Sequence, residues 1–258
     1  MTVSCTLDHL IAQWTRLGVA FSAPSAKESP DLERLLLNTA RRAPQNARVF
    51  ILAVTWLCRY GDLVARHRLK RLVADELEPE YRPVLGMLLA TVREETGTAH
   101  FNAVIRDCPP ADEAAPLFEI ERKNEKLRRL AERHAAPISR QWNLWARAFR
   151  PKDEALRPVR WILERNPGYR IRADLKGDLR ASIIAALADD PRAGESEVRL
   201  SRCCGATRSA VRDSLDDLET AGRIKRSHVG RRRRISLTGM ELKHRAHGRR
   251  RSVRVANN

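Results

Sequence analysis

Along the first 165 residues the apolar positions recur at helical spacing. Leu7, Leu10, Ile11, Trp14 and Leu17 stand at i, i+3, i+4, i+7 and i+10, one face of a 3.6-residue period that stops before Gly18. After a polar stretch from Ser22 to Lys27, Ser29-Pro30-Asp31 reads as a helix start. Ser29 is the N-cap, Pro30 takes the first helical position, and Leu32, Leu35 and Leu36 follow. Pro44 opens a third helix, in which the run from Val49 to Cys58 is apolar on nearly all sides and predicts the buried centre of the region. Gly61 is placed as its C-terminal stop and Asp62 as the next cap. Leu63 to Leu77 carries a mixed basic face with His67, Arg68, Lys70 and Arg71. Pro79 begins a helix over Glu80 to Glu95 that turns Val84, Leu85, Leu88, Leu89 and Val92 inward. Further helices are predicted at about 98–107, 117–135, 138–149 and 153–165.

No repeat of fixed period is visible, so an irregular helical bundle over residues 1–166 is preferred to a repeat array. All five tryptophans, Trp14, Trp56, Trp142, Trp145 and Trp161, fall here. At helical spacing they are assigned to the core; an aromatic ligand pocket around Trp142, Trp145 and Trp161 is the less favoured reading.

Asn166-Pro167-Gly168-Tyr169 is a turn signal, and no aromatic residue follows it. Beyond it the pattern changes to helix, helix, turn, helix and two strands. Leu179, Ile183, Ile184 and Leu187 mark the first helix, which Asp189-Asp190-Pro191 stops. A short helix at about 197–204 buries Val198, Leu200 and Cys204, and Gly205 makes the turn. Thr207 caps a third helix that runs to Ala221, with Val211, Leu215 and Leu218 inward and Gly222 as its stop. Arg208, Ser209 and Arg212 are left on its outward face, while Asp213, Asp216 and Asp217 lie farther along, where acids repel phosphate and are expected to face away from it or toward the protein. Arg223 to Val229 and Arg232 to Leu237 pair around Gly230-Arg231 with Ile224, Ile235 and Leu237 inward, and Thr238 to Glu241 is a capping box for a last short helix.

Charge sharpens this division. The 258 residues carry 49 basic and 32 acidic side chains, a net of +17. Residues 1–169 account for +6, residues 170–220 for −1, and residues 221–258 for +12. A field so concentrated favours a polyanion, either nucleic acid or an anionic membrane surface. The ten-residue apolar run at Val49 is far short of the roughly 20 residues that span a bilayer, and the start of the chain lacks a basic leader. A cytoplasmic, nucleoid-associated protein is therefore expected. The lack of aromatics after Tyr169 argues against base stacking on single strands and points to duplex DNA.

Several chemistries are excluded or disfavoured. The twelve glycines are too widely spaced for either G-x-G-x-x-G or a phosphate-binding P-loop, and there is no G-x-S-x-G or H-E-x-x-H. Five scattered cysteines form no disulfide framework. Cys203 and Cys204 with His228 fall short of a structural zinc site, so they are assigned as two small buried thiols. Glu121-Arg122-Lys123 has the E-x-K spacing of a metal-dependent nuclease, but it sits in a charged, helix-favouring stretch, Glu119 to Ala135, without the strand or partner Asp that this chemistry uses. No catalytic residue, metal or cofactor is assigned.

The string Gly205-Ala206-Thr207-Arg208-Ser209-Ala210-Val211, then Leu215 to Ile224, then Gly230 to Thr238, resembles the winged helix-turn-helix of bacterial transcription regulators of the MarR and GntR types, over about a quarter of the chain. The resemblance implies that the third helix reads the major groove and that the hairpin touches backbone or minor groove. The DNA-contacting set is then Thr207, Arg208, Ser209 and Arg212 on the helix, with Lys225, Arg226, Arg231, Arg232, Arg233 and Arg234 on the wing. Winged domains also serve as protein-interaction modules, and an Arg run is often a solvated face or tail. Four consecutive arginines repel one another, however, and make little sense without a polyanion.

The resulting expectation is a mainly α protein, a helical bundle followed by a winged domain with a small hairpin wing. Residues 1–166 serve dimerisation, sensing or partner binding, residues 172–248 bind duplex DNA, and residues 249–258 form a basic flexible tail. The expected function is that of a sequence-specific regulator, a repressor acting as a homodimer. The alternative is a DNA-targeting component of a replication, toxin–antitoxin or phage-defence assembly that recruits a partner protein through the helical domain.

Overall fold

The computed structural model describes residues 6–229 and 232–238, and the chain divides into two compact units, 1–166 and 167–258. It is mainly helical, with a small two-stranded antiparallel sheet near the C-terminus.

The first unit begins with α1 (Leu7–Arg16), α2 (Leu32–Arg42), α3 (Ala47–Tyr60), α4 (Arg66–Glu76) and α5 (Arg82–Thr96). Helix α3 is buried along most of its length, and it packs on α5, which packs in turn on α2. Trp14 and Trp56 meet edge to face at 5.7 Å, their indole N–H groups donating to Thr39 Oγ1 and the Leu17 carbonyl, each at 3.0 Å. The aromatic payload is thus buried with its polar handles satisfied. Within α5, Gly86 admits the Trp142 ring: a Cβ there would lie 2.1 Å from it.

Helix starts differ from the expected ones where a better oxygen lies nearby. Asp31 rather than Ser29 caps α2, accepting from the Arg34 N–H at 3.2 Å. Pro44 lies in a 3₁₀ turn, and Asn46 caps α3 through the Arg48 and Val49 amides. Asp62 does not cap α4: Glu33, a fully buried residue of α2, accepts from the Ala65 N–H at 2.8 Å. Arg68 closes this arrangement, holding Asp31 through both Nη groups and pairing with Glu33. Burial alone would lower the Arg68 pKa and raise that of Asp31, but their mutual hydrogen bonds and charges prevail, raising the first and lowering the second.

The rest of this unit contains α6 (Asn102–Ile105), β1 (Ala115–Pro116), α7 (Glu119–Arg122), α8 (Glu125–Arg133), α9 (Pro137–Gln141), β2 (Leu144–Trp145) and α10 (Val159–Arg165). The helix expected over 117–135 is broken at Asn124, whose side chain caps α8. The one expected over 138–149 ends at Gln141, because Asn143 adopts φ +53° and its Nδ2 donates to the Ala111 carbonyl at 2.6 Å. Leu144 and Trp145 then pair in parallel with Ala115 and Pro116.

The second unit comprises α11 (Arg170–Asp174), α12 (Leu179–Asp189), α13 (Glu197–Cys204), α14 (Arg208–Thr220), β3 (Ile224–Val229) and β4 (Arg232–Leu237). Leu179, Ile183, Ile184 and Leu187 of α12 meet Leu200 and Cys204 of α13, Val211, Leu215 and Leu218 of α14, and Ile224 and Ile235 of the hairpin in one core. Val198, expected inside, is 37% exposed, because Leu200 and Cys204, four apart, define the inner face of α13. Thr238 closes the hairpin base by donating its N–H and hydroxyl to the Arg223 carbonyl; the helix expected after it lies outside the described residues, as does the basic tail.

Gly194 lets β4 lie against the turn before α13. A Cβ there would stand 1.9 Å from the Ile235 carbonyl oxygen, a backbone atom that cannot swing aside. Gly194→Ala is expected to loosen the hairpin by about 1–3 kcal/mol, read as faster amide hydrogen exchange along β3 and β4 with α12 unchanged. Equal exchange in both proteins would show that the turn moves freely.

Candidate nucleic-acid interface

Helix α14 starts where local chemistry directs it. Gly205 takes φ +69° at the end of α13, a conformation that costs a glycine little, and Thr207 Oγ1 then accepts from the Ala210 N–H at 3.3 Å. Thr207, Arg208, Ser209 and Arg212 are all exposed, with the Thr207 and Ser209 hydroxyls 3.2 Å apart. The N-terminal end of α14, its cap and first two turns, thus presents two hydroxyls and two guanidinium groups together with the partial positive charge of a helix N-terminus.

The two arginines share one acid. Arg212 Nη2 lies 3.2 Å and Arg208 Nε 3.8 Å from Oε2 of Glu197, the first residue of α13. Glu197 is 18% exposed at its side chain, against 63% for Arg208 and 55% for Arg212. The sequence carries no local signal for this grouping, since Glu197 stands 15 positions before Arg212 and meets it only through the turn at Gly205.

Helix α14 changes character toward its C-terminus. Asp216 and Glu219 hold Arg226 of β3, and the Arg226 N–H also donates to Glu219 at 3.2 Å. Asp217 lies 3.7 Å from Arg180 of α12. These acids therefore face basic groups of their own unit.

The hairpin sorts its basic residues by strand alternation. Ile224 pairs with Leu237 and Arg226 with Ile235, the register that turns Ile224 and Ile235 inward. Arg226, expected among the DNA-contacting residues, falls on this inner register and is 20% exposed, clamped to α14. Lys225 and Arg234 fall on the alternate register and are exposed. Arg232 and Arg233 occupy the register opposite Val229 and His228, and Arg231 lies outside the described residues. Of the expected set, the structure groups Thr207, Arg208, Ser209 and Arg212 at the start of α14, with Lys225 and Arg234 on the hairpin.

The remaining candidates separate. Among the described residues no group of three or more His, Cys, Asp and Glu side chains is placed to hold a metal ion. Glu121 belongs to the four-residue α7; burial pushes its carboxyl up, although Arg147 and the Phe118 amide pull the other way. Trp142 packs on Gly86 while Trp161 stacks beneath Arg165 at 3.9 Å, so each serves a separate contact. Cys203, expected to be buried, is exposed because only Cys204 follows the Leu200 face of α13. Burial, then the neighbouring Cys203, pushes the Cys204 thiol up to about 12, and burial pushes Cys108 to about 12. Native-state alkylation at pH 8 is thus expected to modify Cys203 well before Cys204 and Cys108, as peptide mass spectrometry would show. Equal rates for Cys203 and Cys204 would mean that α13 opens readily. No described helix is long and apolar enough to cross a membrane.

The chain matches no protein-family model, no curated protein and no solved structure.

Proposed function

We propose that the second unit is a winged helix-turn-helix that binds double-stranded DNA, and that the protein is a sequence-specific transcriptional regulator, a repressor acting as a homodimer. The observation that carries this reading is the succession of α12, α13, the Gly205 turn, α14 and the β3–β4 hairpin around one core, with Thr207, Arg208, Ser209 and Arg212 exposed together at the start of α14. In this reading the first turn of α14 enters the major groove. One guanidinium there can pair bidentately with the O6 and N7 of a guanine, and the hydroxyls donate to phosphate. Lys225 and the arginines of the hairpin contact backbone or minor groove. Asp216 and Glu219 oppose this less than two free acids would, because Arg226 pairs with both, offsets one of the two charges and fixes the hairpin to α14. No reaction is assigned to the protein; its work is binding.

Fluorescence anisotropy with a labelled random-sequence duplex tests the reading. Affinity is expected to fall at least about tenfold between roughly 50 and 200 mM salt, since each phosphate contact contributes about −0.9 to the slope of log K against log salt. On a sequence enriched from a random pool, Arg208→Ala and Arg212→Ala are each expected to cost about 1–3 kcal/mol and to relax the preference at one base position. Absence of binding at the lower salt would overturn the proposal.

A further inference from the structure

Arg208 and Arg212 stand one helical turn apart, and a pair of unpaired guanidinium groups at that spacing would grip any phosphate. Their positions against Glu197 alter this. Glu197 is the first residue of α13, whose Ser196 cap accepts from the Arg199 N–H at 3.1 Å, and its carboxylate is mostly covered. A single oxygen, Oε2, faces both arginines, at 3.2 Å from Arg212 and 3.8 Å from Arg208. The reading end of α14 therefore carries two cations and one anion.

We propose that Glu197 is a positioning residue that makes duplex binding discriminating: it holds the Arg212 guanidinium for a base edge and opposes contact made through phosphate alone. This rests on the duplex-binding reading above. A guanidinium has five N–H donors in a planar fork, so Arg212 can keep one on Glu197 and still present two to the O6 and N7 of a guanine. A phosphate brings negative charge toward the Glu197 carboxylate, and like charges brought together at an interface are penalised. A neutral base edge meets no such penalty. The carboxylate thus weakens sequence-independent binding more than sequence-specific binding, and affinity is reduced where discrimination is gained.

The test uses the full chain, a labelled random-sequence duplex of about 30 base pairs and a pool of random duplexes for enrichment. Glu197→Gln keeps the shape of the side chain and removes its charge. It is expected to bind the random duplex about tenfold more tightly, with a salt slope steeper by about 0.9, one further phosphate equivalent, and to enrich a less defined sequence from the pool. Glu197→Asp keeps the charge and is expected to stay close to the parent on the random duplex. Glu197→Ala removes the charge through a different side chain and decides the matter if the Gln variant does not fold, as circular dichroism would show. Random-duplex affinity and salt slope unchanged in the Gln and Ala variants, with the parent binding DNA, would overturn this inference and leave the proposed function standing. Binding by the variants alone would overturn both, because the inference rests on duplex binding by the parent. Binding by neither parent nor variants would overturn both.

Discussion

Replacing Arg231, Arg232, Arg233 and Arg234 together by Ala is expected to weaken duplex binding on the order of 100-fold at about 150 mM salt, and to flatten the salt dependence by about three to four phosphate equivalents. The argument is one of charge density. Residues 221–258 carry +12, four of those charges are consecutive, and among the described ones Arg234 is exposed on the outer register of the hairpin. The loss is expected to be nearly the same on a random and on an enriched duplex, because contacts to backbone position the protein without reading bases. That separates the variant from Arg208→Ala and Arg212→Ala, whose losses should be concentrated on the enriched site. Anisotropy titrations at two salt concentrations measure both. If the quadruple variant bound as the parent does, the hairpin would have no part in holding DNA.

The largest stability effect is expected at Glu33. Glu33→Ala removes the acceptor for the buried Ala65 N–H, where solvent cannot substitute, and one of the two acids that hold Arg68. The stranded Ala65 amide and the lost charge-assisted bond to Arg68, which keeps Asp31, together are expected to cost about 2–4 kcal/mol. Glu33→Gln preserves an acceptor for Ala65 and loses only the charge, so a smaller loss, about 1–3 kcal/mol, is expected. The measurement is clean, because all five tryptophans lie in residues 1–166 and tryptophan fluorescence, excited apart from Tyr169, therefore follows that unit alone. A lower urea midpoint for Ala than for Gln, and for Gln than for the parent, is the expected order. A parent-like midpoint for the Ala variant would show that the Arg68 cluster contributes nothing net. Asp31, held below the usual carboxylate range by Arg68 despite the opposing effect of burial, adds stability that is complete at neutral pH and is lost as pH falls through that lowered value.

The elements legible in the sequence are those whose cause is local. Gly205 and Gly222 take positive φ, Thr207 caps α14, and the alternation of Ile224, Ile235 and Leu237 sets the hairpin, because each depends on a residue's own conformational range or on neighbours a few positions away. Boundaries were lost where a non-local partner intervened. Asn143 abandons the helix expected over 138–149 to donate to Ala111, 32 residues earlier, and Ala65, at the start of α4, donates to an acid from α2 while Asp62 supplies no cap.

The same distinction divides the candidate site. The placement of charge at the C-terminus, and the helix start at Thr207 with Arg208, Ser209 and Arg212 beside it, followed from the sequence by itself, since both are properties of contiguous residues. Whether a given arginine is exposed and unclamped was decided by the tertiary structure. Arg226 and Arg234 look alike along the chain, yet one is held by Asp216 and Glu219 and the other is exposed. Arg208 and Arg212 likewise give no hint of Glu197. The physical reason is that an ion pair depends on distance through space, and folding brings together charges that lie 7 to 15 positions apart in the chain, where no periodicity records their meeting.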